Sequence, residues 1–584
     1  MATDETLDRV DAIFDRFVAE NGAPGVAYGL IEGGELIRTN GHGVARLGDT
    51  APPDADTIFR IASMTKSFTA SMVLLLRDEG RLGLDDDVVA YVPEVAGIRR
   101  FSTDSPPLSI RHLLTMTAGL PGDDPWGDWQ QDLDPDEFGR FLEGGVALVW
   151  PPAARFEYSN LGYAILGRVI ANVTGGAYDE AIRTRLLEPL GITAVFDDSL
   201  AKRDRVASGY VRRDDRWLLE TVHGHGAFAP MGGLWASVRD IGRWVAGFTD
   251  AFPARDDAEG GHPLRRSSRR EMQQIAAPQP PEVSWESVDA APTFLFGGYG
   301  MGLFMVDDLA IGRTAGHGGG YPGFGSHMRW HPASGVGVVV LANARYAPAL
   351  GLAIDTLRLL LADSQTRIRR HAPWPETSAA RAAVERLIDE WDDEVAGELF
   401  AMNVDLDEPL ANRRAALERL RATHGRLTAD DTPTLSYSPA HLEWWMQGER
   451  GRARIEILLD PEMPPRVQAL NVTSVPEPSE RLVAVARQIV ELLSAPSPVW
   501  PDELPLAPSL DRAGVDRQLR AAEALFGPVE LGPMIGGDGE RTSTWRLSGD
   551  HGHLRLALVL ETFDGPLTRV ALAPEALEPP LYAD

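Results

Sequence analysis

Strand-forming patterns stand at the two ends of the first 365 residues, with helical patterns between them, and this constrains the fold more than any other feature of the chain. Val26–Glu32 and Glu35–Thr39 flank Gly33-Gly34, the pattern of a β-hairpin. Far down the chain Gly325–His331 and Val336–Asn343 flank Pro332-Ala333-Ser334-Gly335, a second hairpin. Between them the periodicity is helical. Residues 67–79 form an apolar helix stopped by Gly80, and Leu161–Val173 form another. Helices also bracket the whole. Leu7, Val10, Phe14, Phe17 and Val18 share one helical stripe over residues 4–20, and a helix is predicted near 347–363. The simplest assembly is an α/β (α+β) fold in which one antiparallel sheet is built from both ends, is flanked by helices and carries a large, mostly helical insertion. An active site would lie where the two parts meet. Arg255–Ser284, rich in charge, proline and glutamine, is predicted to be an exposed excursion.

Charge and proline mark a linker beyond this region, so the chain divides into 1–365, a linker at 366–378, and modules at 379–478 and 479–584. The two modules resemble each other. Segment 442–460 aligns with 543–561, matching Trp444 to Trp545, Gly448 to Gly549 and Gly451 to Gly552. Each follows an amphipathic helix (409–423 and 512–525), so both read as an α+β unit with a helix on a meander, a tandem repeat. They are expected to set substrate range or to assemble a homo-oligomer.

Composition removes several function classes. A formal net charge of -29 repels nucleic acid and anionic lipid. With no cysteine there is no disulfide, thiolate metal site or cysteine nucleophile. No apolar run spans a membrane, and the acidic start lacks the basic and apolar segments of a signal peptide, so a cytoplasmic location is expected. The chain holds only two lysines, Lys66 and Lys202, against 54 arginines.

Both lysines close a Ser-x-x-Lys motif. Ser199-Leu200-Ala201-Lys202 sits among charges in a solvated loop. Ser63-Met64-Thr65-Lys66 instead opens the apolar helix, where backbone N–H groups favour developing negative charge. Residues three apart share a helical face, so Lys66 can reach the Ser63 hydroxyl. Lysine can be desolvated until it gives up its proton, whereas arginine cannot. Two further elements carry chemistry. Tyr158-Ser159-Asn160 offers a phenol for proton relay and an amide for orienting a substrate. Gly316-His317-Gly318-Gly319-Gly320 offers bare backbone for close approach of a ligand and N–H groups for an oxyanion hole; a flexible glycine-rich turn is the plainer alternative.

In their order these three elements resemble the serine β-lactamase and penicillin-binding-protein superfamily, with its Ser-x-x-Lys, Tyr-x-Asn and Lys-Thr-Gly motifs. RHLLTMTAGL (111–120), EPLGI (188–192) and PMGGLWASVRDIGRW (230–244) are similar to accessory segments of that family, and the resemblance covers about residues 5–365. It implies that Ser63 attacks an acyl carbonyl and becomes acylated, that Lys66 takes its proton with Tyr158 sharing the base and acid roles, and that Asn160 holds the substrate amide. It further implies that the N–H groups of Ser63 and Gly320 bind the oxyanion, with no metal or cofactor. His317 stands where the family's third motif has a lysine that binds substrate carboxylate. His-x-Gly variants are similar to D-aminopeptidases and some DD-peptidases. The implied activity is therefore a D-aminopeptidase or amidase acting on small D-residue substrates. The alternatives are a carboxylesterase or β-lactamase-like hydrolase using the same site, and a catalytically silent binding scaffold.

Overall fold

The computed structural model describes residues 2–197, 199, 205–284, 293–308, 311–363, 372–495, 499–500, 504–550, 552–575 and 581–582. The chain separates into two compact units, Met1–Glu282 with Leu295–Arg369, and Val283–Phe294 with Arg370–Asp584.

In the first unit the stripe of residues 4–20 forms α1 (Asp4–Ala19), capped by the Thr3 hydroxyl on the Thr6 amide. β1 (Gly25–Glu32) and β2 (Glu35–Gly43) make the predicted hairpin. The insertion contributes α2 (Thr65–Asp78), α3 (Asp124–Asp128), α4 (Asn160–Thr174), α5 (Val238–Thr249) and α6 (Arg266–Met272). Strands then follow in succession as β3 (Ala277–Ser284), β4 (Thr293–Tyr299), β5 (Phe304–Asp308), β6 (Gly312–Tyr321), β7 (Phe324–His331) and β8 (Val336–Ala342), and α7 (Ala349–Ala362) closes the unit. They assemble into one eight-stranded sheet in the order β2-β1-β8-β7-β6-β5-β4-β3. β1 pairs antiparallel with β8, Val26 opposite Ala342 and Ile31 opposite Gly337, which joins the two ends of the region.

Both faces of the sheet are covered at β1 and β8, which is why these two strands read as continuous apolar runs. Tyr28, Leu30, Val338 and Val340 pack on Val10 and Phe14 of α1 and Leu357 of α7. The alternate residues Ala27, Ile31, Val339 and Leu341 join the larger core made by the insertion, with Phe68 and Met72 of α2. A slip of one residue in any of these strands would exchange the two cores, so the register is strongly specified.

The structure departs from the sequence reading in three places. Arg255–Ser284 is not an exposed excursion throughout. Its α6 buries Arg266 and Arg269 because Asp250 and Asp257 receive their guanidinium groups, and its end becomes strand β3. The glycines at 316–320 lie in strand β6 rather than a turn, since β5 and β7 flank them on both sides. The linker assigned to 366–378 is shorter at its far end. Residues 364–371 lie outside the described residues, and α8 (Pro375–Asp389) already starts at Pro375, whose missing N–H costs nothing in a first helical turn.

The second unit contains a six-stranded and a four-stranded sheet. α9 (Leu410–His424) precedes β9 (His441–Gly448), β10 (Gly451–Leu459) and β11 (Val467–Pro476). After α10 (Glu480–Leu493), α11 (Arg512–Phe526) precedes β12 (Val529–Gly536), β13 (Thr542–Gly549), β14 (Gly552–Leu560) and β15 (Leu567–Pro574). The two hairpins match in detail. Gly448 pairs Gly451 and Gly549 pairs Gly552, and Gly451 and Gly552 both have φ 126°, a value side chains rarely adopt. Trp444 faces Ile455 and Trp545 faces Leu556 across the ladders, and a bulge interrupts β10 before Leu459 and β14 before Leu560. No helix among the described residues is long and apolar enough to cross a membrane.

Candidate active site

Ser63 is held by a short, tightly anchored turn. Ile58–Arg60 pair antiparallel with Trp235–Ser237, and the Ile61 amide donates to Leu234 O at 3.0 Å. The turn Ala62–Met64 then leads directly into α2, a few residues earlier than the apolar periodicity alone predicts. Ala62 has φ 49°, a conformation that costs about 1–3 kcal/mol for a residue with a side chain. The surroundings enforce it: Thr65 Oγ1 donates to Ala62 O at 2.7 Å and Ser326 Oγ of β7 donates to Ile61 O at 2.8 Å.

Lys66, one helical turn on, is completely buried. Its Nζ lies 2.9 Å from Ser63 Oγ, 2.7 Å from Asn160 Oδ1 and 2.8 Å from the Met231 carbonyl. Burial pulls its pKa down to about 8, against the opposing pull of Asp124, Asp123 and Asp128. The geometry suits the free amine. Two N–H bonds satisfy the Asn160 and Met231 oxygens, leaving the lone pair for the Ser63 proton.

Tyr158 lies just before α4, with Lys66 Nζ 4.9 Å from its ring centroid. Burial pushes its phenol well above the ordinary tyrosine range, with a hydrogen bond to Ser63 acting the other way. The phenol therefore keeps its proton at neutral pH. Asn160 is fully buried; its Oδ1 receives Lys66 and its Nδ2 donates to Asp124 Oδ1 at 3.0 Å. Being the first residue of α4, it points into the packed junction with α2. Its amide oxygen thus braces the Lys66 amine.

The third motif brings bare backbone against the Ser63 turn. A Cβ on Gly319 would lie 2.2 Å from Ile61 O and 2.3 Å from Ser326 Oγ, so only glycine lets β6 pass this close. Gly318 and Gly320 line the cleft. His317 is buried, with Nε2 3.2 Å from the Tyr299 hydroxyl and Nδ1 2.6 Å from Gly318 O. Burial, helped by the Lys66 charge, lowers its pKa to about 3, so it is neutral and offers no cation to a carboxylate. A cavity of about 550 Å³ opens onto Ser63 and Tyr158, with apolar walls that include Phe156, Phe304 and Val306.

The structure thus gathers Ser63, Lys66, Tyr158, Asn160 and the 317–320 strand at one junction. The second Ser-x-x-Lys motif is not part of it: Ser199 is exposed, and Lys202 lies outside the described residues. Sequence reasoning did not find Asp123 and Asp124. Asp123 accepts the Asn160 and Leu161 amides at 2.6 and 2.8 Å, capping α4 from 37 residues away, and no local pattern signals a cap supplied from such a distance. Among the described residues no group of three or more His, Asp or Glu could hold a metal ion.

A family model described as Beta-lactamase matches residues 10–363. Protein flp of Staphylococcus aureus (strain N315) is 25% identical over 356 residues, 60% of this chain and 66% of that protein. Beta-lactamase-like protein 2 of Dictyostelium discoideum is 30% identical over 254 residues, 41% of this chain and 45% of that protein. The chain therefore spans just under two thirds of the first relative and under half of the second. An octameric penicillin-binding protein homologue from Pyrococcus abyssi has the same fold, with a TM-score of 0.53 and 19% identity, over 98% of this chain and 99% of that one.

Proposed function

The chain belongs to the beta-lactamase family of serine hydrolases, and from that premise we propose that it cleaves small amides or peptides containing D-residues through an acyl-enzyme at Ser63. The observation that carries this reading is the buried Lys66 amine 2.9 Å from the Ser63 hydroxyl, with its pKa brought down to about 8. Neutral Lys66 takes the Ser63 proton as Oγ attacks the acyl carbonyl. The N–H groups of Ser63 and Gly320 receive the developing oxyanion. Tyr158 donates its proton to the departing nitrogen or oxygen and is reprotonated from Lys66. Water then repeats the sequence on the ester, returning the proton to Ser63.

A second reading, a carboxylesterase, is favoured by the apolar cleft and the neutral His317, which suit uncharged substrates. A panel of D- and L-amino-acid p-nitroanilides, short-chain p-nitrophenyl esters and nitrocefin separates the two. D-anilide turnover is expected, and turnover of esters alone would select the esterase. An amide nitrogen needs protonation to leave and a phenolate does not, so Tyr158→Phe is expected to depress anilide turnover more than ester turnover. Equal losses would remove the relay from the mechanism.

The pH profile follows from Lys66. Below pH 8 its amine is protonated and has no lone pair for Ser63, so kcat/KM is expected to rise with pH and level off above about 8. A profile flat from pH 6 to 9 would exclude Lys66 as the base.

We also propose that the chain assembles as a homo-oligomer through the region after residue 370. The support is the near-complete coverage of the octameric Pyrococcus protein. Sedimentation of the full chain as a monomer at micromolar concentration would refute this.

A further inference from the structure

The segment after β8 carries a strained aromatic residue. Tyr346 has φ 50°, and three contacts pin its base. Its amide donates to Phe324 O at 3.1 Å, the Arg345 amide donates to Tyr210 O at 2.8 Å, and the Arg345 guanidinium grips Glu220 through two bonds of 2.7 and 2.6 Å. Strain of this kind persists only where neighbours over-determine it, and it concentrates at functional positions.

From that base the ring runs alongside Gly320. A Cβ at Gly320 would sit 2.7 Å from Tyr346 Cδ1, so the ring occupies the space a side chain would take. The phenol then donates to Asp128 Oδ2 at 2.7 Å. Asp128 is 3% exposed and ends α3, the short helix whose first residue, Asp124, lines the cleft beside Ser63. Tyr346 therefore ties the sheet to the insertion at the Gly320 end of the cleft. Leu350, four residues further on, also lines the cleft.

Tyr158, the proton donor of the proposed mechanism, stands 6.4 Å from the His317 ring, and His317 lies three residues along β6 from Gly320. An acyl group that extends from Ser63 toward Gly320 meets the tyrosine that crosses there.

We propose that Tyr346 is a specificity-determining residue: tied to Asp128, its ring limits the length of acyl group that can bind at Ser63. The inference rests on the serine-hydrolase reading above and adds to it a preference for short acyl groups.

The test uses the full chain and p-nitrophenyl acetate, butyrate and octanoate. The wild-type chain is expected to favour acetate. Tyr346→Ala is expected to raise the octanoate-to-acetate ratio of kcat/KM by about tenfold or more, the scale on which a few methylenes discriminate. Tyr346→Phe and Asp128→Ala, which remove the tie but keep the ring, are expected to raise it less, and their combination no further than either alone. Using the ratio cancels any effect of the Asp128 charge on Lys66. An unchanged ratio in both Tyr346 variants, with Ser63 labelled by a fluorophosphonate at the wild-type rate, would overturn the proposal. No labelling and no ester turnover by the wild-type chain would instead overturn the hydrolase reading, and this inference with it.

Discussion

Replacing Lys66 with alanine is expected to lower kcat/KM on any ester or amide substrate by about 10²–10⁴, the range typical for loss of a positioned general base. Lys202→Ala, made in the same motif elsewhere in the chain, should leave it within about twofold. The two substitutions remove the same charge from the same spacing, so the contrast tests placement rather than composition. In the folded chain Lys66 Nζ donates to the Asn160 and Met231 oxygens and stands 2.9 Å from Ser63 Oγ. Alanine would leave the Asn160 and Met231 carbonyls without that donor and open a void beside them, so some loss of stability accompanies the loss of rate. The rise in activity toward pH 8 separates the two effects. It should disappear in Lys66→Ala, whereas a merely destabilised enzyme would keep it at lower amplitude. Equal losses from the two lysine variants, measured by ester turnover and fluorophosphonate labelling, would reject the assignment.

The second large effect is expected from Gly319→Ala. The added methyl group would meet Ile61 O at 2.2 Å and Ser326 Oγ at 2.3 Å. The serine could rotate away, but the Ile61 carbonyl belongs to the turn that carries Ser63 and cannot move without taking the nucleophile along. Overpacking of this kind costs about 1–3 kcal/mol. A displacement of Ser63 of even 1 Å would cost roughly 10²-fold in rate. Thermal unfolding should therefore show a lowered midpoint, and the variant still folded at 20 °C should label slowly. Gly260→Ala is the control, because a Cβ there meets nothing within 4 Å. A Gly319→Ala chain that labels at the wild-type rate would show that β6 has room to spare against Ser63.

Much of the architecture is local in origin. The β1–β2 hairpin turns at Gly33-Gly34, and the β7–β8 hairpin turns at residues 332–335. The apolar runs of β1 and β8 reflect burial on both faces. The same reasoning failed for Arg255–Ser284, where charge density suggested solvent. Arg266 and Arg269 are buried because Asp257 and Asp250, 9 to 19 residues upstream, neutralise them, and a count of charges does not show which of them pair. At residues 316–320 only the alternative of a glycine-rich turn fails. Runs of glycine signal a turn when only backbone freedom is weighed, but here glycine serves close approach inside a strand.

At the site, the sequence by itself picked out the residues that the fold gathers around Ser63. Ser63 and Lys66 share a helical face by spacing alone, and a lysine kept in an arginine-rich chain marks a proton that must leave. Only the tertiary structure decided the electrostatics and the division of labour. The shift of Lys66 to about 8 depends on desolvation by segments nearly a hundred and more residues away, and Asn160 became a brace for that amine because α4 packs its first turn inward. Spacing along one helix is fixed by covalent geometry, whereas burial and charge balance are sums over every neighbour the fold brings near, which no local pattern records.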